Sequence, residues 1–513
     1  MKKILFAALL LASVMPAAAQ ETYENVKVAA EDLNGSARYV GMGGAMEALG
    51  AELSTMKSNP AGIGLFRRSN ATVSFGAVIQ GDAPSMSGAD KTHMSFDQAG
   101  VVISTNTSGR KQSFVNIGFN YHKSRNFDYI LSASNSLSGA SQNKLTYVKA
   151  KNDLLFEFDD YGNAYWDTPY ITCNQLDYLY ADNLNCDRDG NWHYYEATDY
   201  SLQREHTGYV GEYDFNISGN IDNRIYLGLT IGYHDVNYKH RAEYTENVGG
   251  GVGKLLVSDN RTITGDGADV SAGVIVRPLE YSPFRIGLSV STPTFYRLTT
   301  DNKTSITDGR ETAYSGESYE FKLYTPWKFG LSLGHTIGTQ IALGASYEYA
   351  DYGSLDSRYI SDDRYYDYYD NTRSDDEMNL HTESTLKGVS TLKLGAEFKP
   401  TDQLALRVGY NYVSPTYRED GFKDGTIDSE GSYYSSATDF TNWKSTNRVT
   451  AGVGLTLGQF ALSAAYQLSM TKGDFYPFMG YVDNDTPEDC IYVNPVTVKN
   501  NRHQLLFSIG YTF

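Results

Sequence analysis

The sequence predicts an all-β fold, a 14-stranded antiparallel transmembrane β-barrel with a small N-terminal helical plug. Three observations predict it. Apolar residues recur at every second position in many separate segments, the connections between them alternate between short and long, and the chain ends on one more such segment. Side chains in a strand alternate between its two faces, so these segments offer one face to lipid and the other to a lumen. Membrane barrels also pair short turns on one side with long loops on the other.

In chain order, Met1-Lys2-Lys3, the apolar run from Ile4 to Val14, Pro16 and then Ala17-Ala18-Ala19-Gln20 read as a signal peptide over residues 1–20. The apolar run is about half of the roughly 20 residues that a spanning helix needs. Residues 21–69 are not strand-like. The small, glycine-rich stretch from Asn34 to Gly50 and the following Ser58-Asn59-Pro60-Ala61-Gly62-Ile63-Gly64 suit two short helices joined by glycine turns. Small side chains permit close backbone packing, so this segment is expected to be a plug. Gly41-Met42-Gly43-Gly44 lacks the GxGxxG spacing of a dinucleotide loop, and no cofactor is expected.

Residues 70–513 form the barrel. Leu404, Leu406, Val408, Tyr410 and Tyr412 share one strand face against Ala405, Arg407, Gly409 and Asn411. Ile225, Leu227, Leu229, Ile231 and Tyr233 repeat the pattern, as do Trp327, Phe329, Leu331 and Leu333. The face opposite is rich in Gly, Ser, Thr and Asn, which suits a lumen that is part polar and part packed against a plug. Strands are expected near 70–80, 95–105, 112–122, 205–219, 223–236, 266–277, 284–296, 322–334, 338–350, 387–399, 402–412, 446–457, 459–470 and 503–513. The alternating piece 127–137 would make fifteen. Single-chain bacterial barrels use an even number, so 127–137 is assigned to the first large loop. In the last strand Leu505, Phe507, Ile509, Tyr511 and Phe513 share a face, a pattern similar to the signal read by the outer-membrane barrel assembly machinery.

A formal charge of −18 with dispersed basic residues excludes a nucleic-acid partner, whose affinity comes from neutralising phosphates. The histidines are scattered along the chain, and no catalytic or metal-ligand spacing is found, so neither an enzyme nor a metal site is expected. Cys173 and Cys186 lie in one polar insertion, compatible either with pairing after export or with two thiols. Acidic, tyrosine-rich runs around Asp159-Asp160-Tyr161 and Tyr365-Tyr366-Asp367 read as solvated loops.

The block Gly35-Ser36-Ala37-Arg38, Gly41-Met42-Gly43-Gly44-Ala45, Ala48-Leu49-Gly50 and Asn59-Pro60-Ala61-Gly62 resembles the FadL/TodX-type outer-membrane transporters of long-chain fatty acids and hydrophobic compounds, in a Bacteroides-like variant. The resemblance implies passive uptake through plug-associated pockets and a lateral opening in the wall. It also implies a mobile terminus from Glu21 to about Val28, and a plug shaped by Gly41, Gly43, Gly44, Asn59, Pro60, Ala61 and Gly62. Phe127, Tyr129, Ile130, Leu131, Leu154, Leu155 and Phe156 are the candidate capture surface for a hydrophobic small molecule. The expected partners are that molecule, outer-membrane lipid and lipopolysaccharide, and the assembly machinery, with the barrel a monomer. The competing reading is a surface receptor or structural barrel that binds haem or a host ligand through its loops.

Overall fold

The computed structural model describes residues 21–513 apart from 108–112, 152–156, 159–163, 166–173, 187–190, 361–371, 428, 430, 433–434, 436 and 483–485. The expected signal peptide, Cys173, Leu154, Leu155, Phe156, the acidic pair Asp159-Asp160 and the Tyr365–Asp370 run lie outside the described residues. Fourteen staves make the wall. They are β1 (Asn70–Gln80), β2 (Thr92–Asn106), β3 (Phe114–Asn126, continued by Tyr129–Ser136), β4 (Ala197–Ile221), β5 (Ile225–Val248), β6 (Gly253–Val276) and β7 (Arg285–Ser291 with Phe295–Thr307). The remainder are β8 (Thr312–Tyr324 with Lys328–Ile337), β9 (Ile341–Asp351 with Asp356–Ile360), β10 (Gly388–Phe398), β11 (Leu404–Val413), β12 (Phe440–Leu457), β13 (Phe460–Tyr476) and β14 (Val496–Thr512). Each pairs antiparallel with its chain neighbours, and β1 meets β14 from Asn70↔Thr512 to Gln80↔Arg502, which closes the sheet.

The period-two code becomes an outward apolar belt. On β5, Ile225, Leu227, Leu229, Ile231 and Tyr233 all face out while Tyr226, Thr230 and His234 are buried inside. On β14 the outward set is Leu505, Phe507, Ile509, Tyr511 and Phe513, with Leu506 and Ser508 inward. At about 3.4 Å per residue and a tilt of roughly 40°, the nine residues from Ile225 to Tyr233 rise about 21 Å, most of the roughly 25 Å apolar band of outer-membrane barrels. Tight turns close the lower rim; Asp222 and Asn223 both take positive φ (51° and 54°), as the mirror-image hairpin turn between β4 and β5 requires.

Two expectations about the wall need correction. The piece 127–137 is not loop: Tyr129–Ser136 is a strand paired with β4 from Tyr129↔His206 to Ser136↔Asp199. It extends β3 above a break at Phe127-Asp128, so the count stays at fourteen. Much of the sequence between the belts is also strand rather than loop. β4, β5 and β6 run to 25, 24 and 24 residues, far past their apolar stretches. Above the belt their outward residues no longer face lipid and turn polar, so alternation of hydrophobicity fades while backbone pairing continues.

Candidate functional site

Residues 21–66 lie within the barrel and touch strands around much of its inner wall. The helix α1 (Thr22–Ala29) is followed by α2 (Ala37–Gly41), which is capped by Ser36 Oγ accepting from the Tyr39 N–H at 3.0 Å, and then by two 3₁₀ turns, Leu53–Thr55 and Pro60–Leu65. The wall receives this plug on glycines. A Cβ on Gly43 would lie 2.7 Å from the Tyr410 nitrogen, and the residue's φ of +63° independently favours glycine. Gly41 faces the Cα of Gly452, and Gly44, with φ of +81°, would crowd Leu33. From the wall side, Gly228 abuts the backbone of Pro60 and Ala61, Gly273 abuts the Asn59 side chain, and Gly344 abuts the Ala45 carbonyl. Asn59 caps its own turn, its Oδ1 accepting from the Ala61 N–H at 3.1 Å; a Cβ on Gly62 would approach Thr55 Oγ1 to 2.7 Å. Ion pairs add to the seating, with Lys393 Nζ 2.8 Å from Glu47 and Arg38 Nε 3.3 Å from Glu397.

Two adjoining cavities lie between the plug and the barrel wall. The outer one, about 190 Å³, is walled by the aromatic rings of Tyr23, Phe127, Tyr129, Tyr417, Phe440 and Trp443. Tyr23 stacks on Tyr417 with ring centroids 5.0 Å apart, and Tyr129 meets Trp443 edge-on at 5.6 Å. Its charged side includes Arg125, Arg448 and Arg502, which converge on the Asp32 carboxylate at 3.1, 3.5 and 3.7 Å, beside Lys27, Glu31, Lys444 and the Arg204–Asp439 ion pair. Burial pushes that carboxyl up, but the Arg125, Arg502 and Arg448 guanidinia and the Asn126 N–H outweigh it and bring it down to about 2. The inner cavity, about 150 Å³, shares Ala30, Glu31, Asp32, Val413, Thr416 and Arg448 with the outer one. Small-molecule pockets start near 300 Å³, so neither cavity reaches that size unless the two are joined by moving Ala30–Asp32.

The wall beside these cavities has a gap in its hydrogen bonding. Pairing between β2 and β3 runs from Asn106↔Phe114 to Gln98↔His122 and stops. Above that level β2 pairs with β1, and β3 pairs with β4, with register shifts at Ser74/Phe75 in the first ladder and at Lys123/Arg125 in the second. Plug residues cover the exposed backbone. The Asp32 N–H donates to the Ser124 carbonyl at 2.8 Å, Asn34 Nδ2 donates to the Lys123 carbonyl and to Asp97 Oδ1 at 3.0 Å each, and Asp32 Oδ2 accepts from the Asn126 N–H at 3.0 Å. Higher up, the Gln80 amide exchanges two 2.7 Å hydrogen bonds with the Ile130 backbone.

No family model and no curated protein matches the sequence. Among solved structures, a Pseudomonas aeruginosa FadL homologue aligns over 94% of this chain and 99% of its own, with a TM-score of 0.51 and 12% identity. The fold is that of a FadL-type channel. The Ralstonia pickettii toluene transporter TbuX also aligns over 94% of this chain and 99% of its own, at 11% identity and a TM-score of 0.48. The closed barrel with its continuous outward apolar belt places the protein in the outer membrane.

Within this FadL-type frame the candidate capture residues separate. Phe127 and Tyr129 line the outer cavity. Ile130 instead packs with Ala83 and Met86, and Leu131 with Tyr200 and Leu202 in the core beneath the loops, so these two serve packing. The segment Glu21–Val28, expected as a mobile terminus, is a helix buried along its length except at Lys27. It is held by a Thr22 Oγ1 contact to Thr382 Oγ1 at 2.8 Å and by the Tyr23 hydroxyl donating to Asn442 at 2.8 Å. The residues that sequence reading missed are the lumen charges. Arg125, Arg448 and Arg502 come from β3, β12 and β14, and their convergence depends on barrel closure and inter-strand register. A charged residue at an inward position of an alternating segment was the available signal; which strand it would meet was not legible.

The Tyr129 ring makes a testable contribution to the cavity. Tyr129→Ala removes the edge-on contact with Trp443 and is expected to weaken binding of an apolar fluorescent probe about fivefold to tenfold, from roughly 1 to 1.4 kcal/mol of lost aromatic contact. Fluorescence titration of the purified protein in detergent measures this, with the unchanged titre of an Ile130→Ala protein as comparison.

Proposed function

We propose that the protein is a passive outer-membrane channel for hydrophobic small molecules, and that it prefers amphiphiles with an anionic head, long-chain fatty acids among them. The observation that carries this reading is the outer cavity, where six aromatic rings face three guanidinium groups that converge on one carboxylate. Aromatic walls accept a hydrocarbon tail, each buried CH₂ contributing about 0.8 kcal/mol. Guanidinium groups in excess of their counter-ion favour a carboxylate head through charge-assisted hydrogen bonds. The β2–β3 gap supports a lateral exit, since it adjoins Asp32, which both cavities share, and it is covered by plug residues rather than by wall pairing. A side exit spares an apolar solute the cost of crossing a watery pore. Sealing by Asp32–Asn34 makes displacement of that segment the opening step, and the same displacement joins the two cavities.

Reconstitution into liposomes with labelled oleate, toluene and a polar sugar is the test. Oleate is expected to enter fastest and the sugar not at all. In a parallel arm, Arg502→Gln is expected to slow oleate about tenfold while leaving the matching fatty alcohol within twofold, because the alcohol has no charge for the arginines to meet. Saturable binding of oleate at the outer face without entry would replace transport with a receptor role.

A further inference from the structure

The inner wall of β3 to β6 carries a second cluster at one level of the barrel. Glu212 and Asp214 project from β4, His122 from β3, His234 from β5 and Asp269 from β6; register places Glu212 opposite both His122 and His234. Glu212 Oε2 lies 3.5 Å from His122 Nε2 and 3.8 Å from His234 Nδ1, and His234 Nε2 lies 2.9 Å from Asp269 Oδ2. Asp214 Oδ2 is 3.5 Å from His122 Nδ1. Glu212, His234 and Asp269 each offer a ligand atom, all within 4.8 Å of one another. Glu212 and Asp214 are fully buried, yet none of their four carboxylate oxygens receives a hydrogen bond.

Charge accounting shows what the cluster lacks. Three carboxylates meet one fixed cation, Lys57, which the plug inserts beside Asp269 and 3.8 Å from Glu212 Oε1. With all three carboxylates ionised two buried negative charges would be left over, and such charges are retained in an interior when they are paired, protonated or bound to metal. A divalent ion would neutralise them. We propose that Glu212, His234 and Asp269, with Asp214 and His122 beside them, form a binding site for a first-row divalent transition metal, and that Lys57 is its built-in competitor. Imidazole among carboxylates selects zinc, iron or manganese over calcium and magnesium, which favour oxygen alone. Ligand atoms around tetrahedral zinc stand ~3.4 Å apart, so the side chains need draw in by about an ångström. Lys57 and His122 both border the inner cavity, which gives the ion a way in. Because Lys57 belongs to the plug, a bound ion repels its ammonium, and occupancy of the site is coupled to plug position.

The test is isothermal titration of the full chain in detergent, stripped of metal, with zinc chloride, supported by the visible spectrum of the cobalt-loaded protein. One equivalent is expected to bind. Lys57→Met is expected to bind zinc at least tenfold more tightly, and His234→Gln at least tenfold more weakly, with heat-modifiable gel mobility reporting that each barrel is folded. Glu212→Gln serves as a second ligand variant should His234→Gln not fold, and the same weakening is expected of it. Absence of zinc binding in both the wild type and Lys57→Met, or equal affinity in wild type and the folded ligand variants, overturns the proposal. So does finding His122 and His234 both as imidazolium by nitrogen NMR at neutral pH, because two protons would then supply the missing charge.

Discussion

Replacing Asp32 by alanine is expected to destabilise the plugged barrel by about 2–3 kcal/mol, less than the ~3–5 kcal/mol of stripping one partner from a fully buried ion pair, because Asp32 borders both cavities and is only half-buried. Arg125, Arg448 and Arg502 would lose their shared counter-ion, and the Asn126 N–H beside the β3 break would lose its acceptor. Denaturant unfolding in detergent measures the loss, and amide exchange at Lys123–Asn126 locates it. The wild type should show the same dependence in its pH profile. The Asp32 carboxyl sits at about 2 when folded against an ordinary 3.8. A lowered folded value means that this contribution is fully present above about pH 4 and is lost as pH falls through 2. Asp32→Asn is expected to abolish that part of the acid dependence. An unchanged midpoint for Asp32→Ala would mean that the three arginines find other partners and that the segment is not the seal described above.

The second large effect concerns the glycines that receive the plug. A leucine at Gly228 has no room, since even a Cβ would come within 2.6 Å of the Ala61 nitrogen and closer still to the Pro60 backbone. Overpacking commonly costs ~1–3 kcal/mol, and here a cheaper response is open, because the Asn59–Gly62 turn that meets Gly228 can lift from the wall while the ion pairs of Glu47 and Arg38 keep the rest of the plug seated. Gly228→Leu is therefore expected to leave the barrel folded with Asn59–Gly62 unseated, and planar-bilayer conductance should rise from near closure to a frequently open state. Gly510→Ala is the matched control: its added Cβ meets nothing nearer than 3.4 Å, and no change is expected. A silent Gly228→Leu channel would show that the Asn59–Gly62 turn does not gate the lumen.

The parts of this structure that were legible in sequence are those set by neighbours along the chain. Ile225 to Tyr233 alternate because each strand must present one face to lipid, and that requirement is written residue by residue. Asn59-Pro60 marked a turn through its own local chemistry. The cavity and the buried acid–histidine cluster were not legible in the same way. His122 and His234 looked scattered because 111 positions separate them, and each sits opposite Glu212 because of ladder registers that no short window contains. The Tyr129–Ser136 strand was assigned to a loop because the even-strand rule counts staves, and a broken stave counts once while holding two strands.

The overlong β4, β5 and β6 have a further consequence for where the molecule meets its surroundings. From Tyr233, at the top of the lipid-facing row, β5 continues for fifteen residues to Val248. At about 3.3 Å per residue and a barrel's tilt, that is a rise of roughly 40 Å. The wall on this side stands as a stiff hydrogen-bonded chimney, tall enough to reach through the saccharide layer of the outer leaflet. Among the described residues, the part of the molecule that rises furthest on this side is paired strand, so its rim is held by backbone hydrogen bonds.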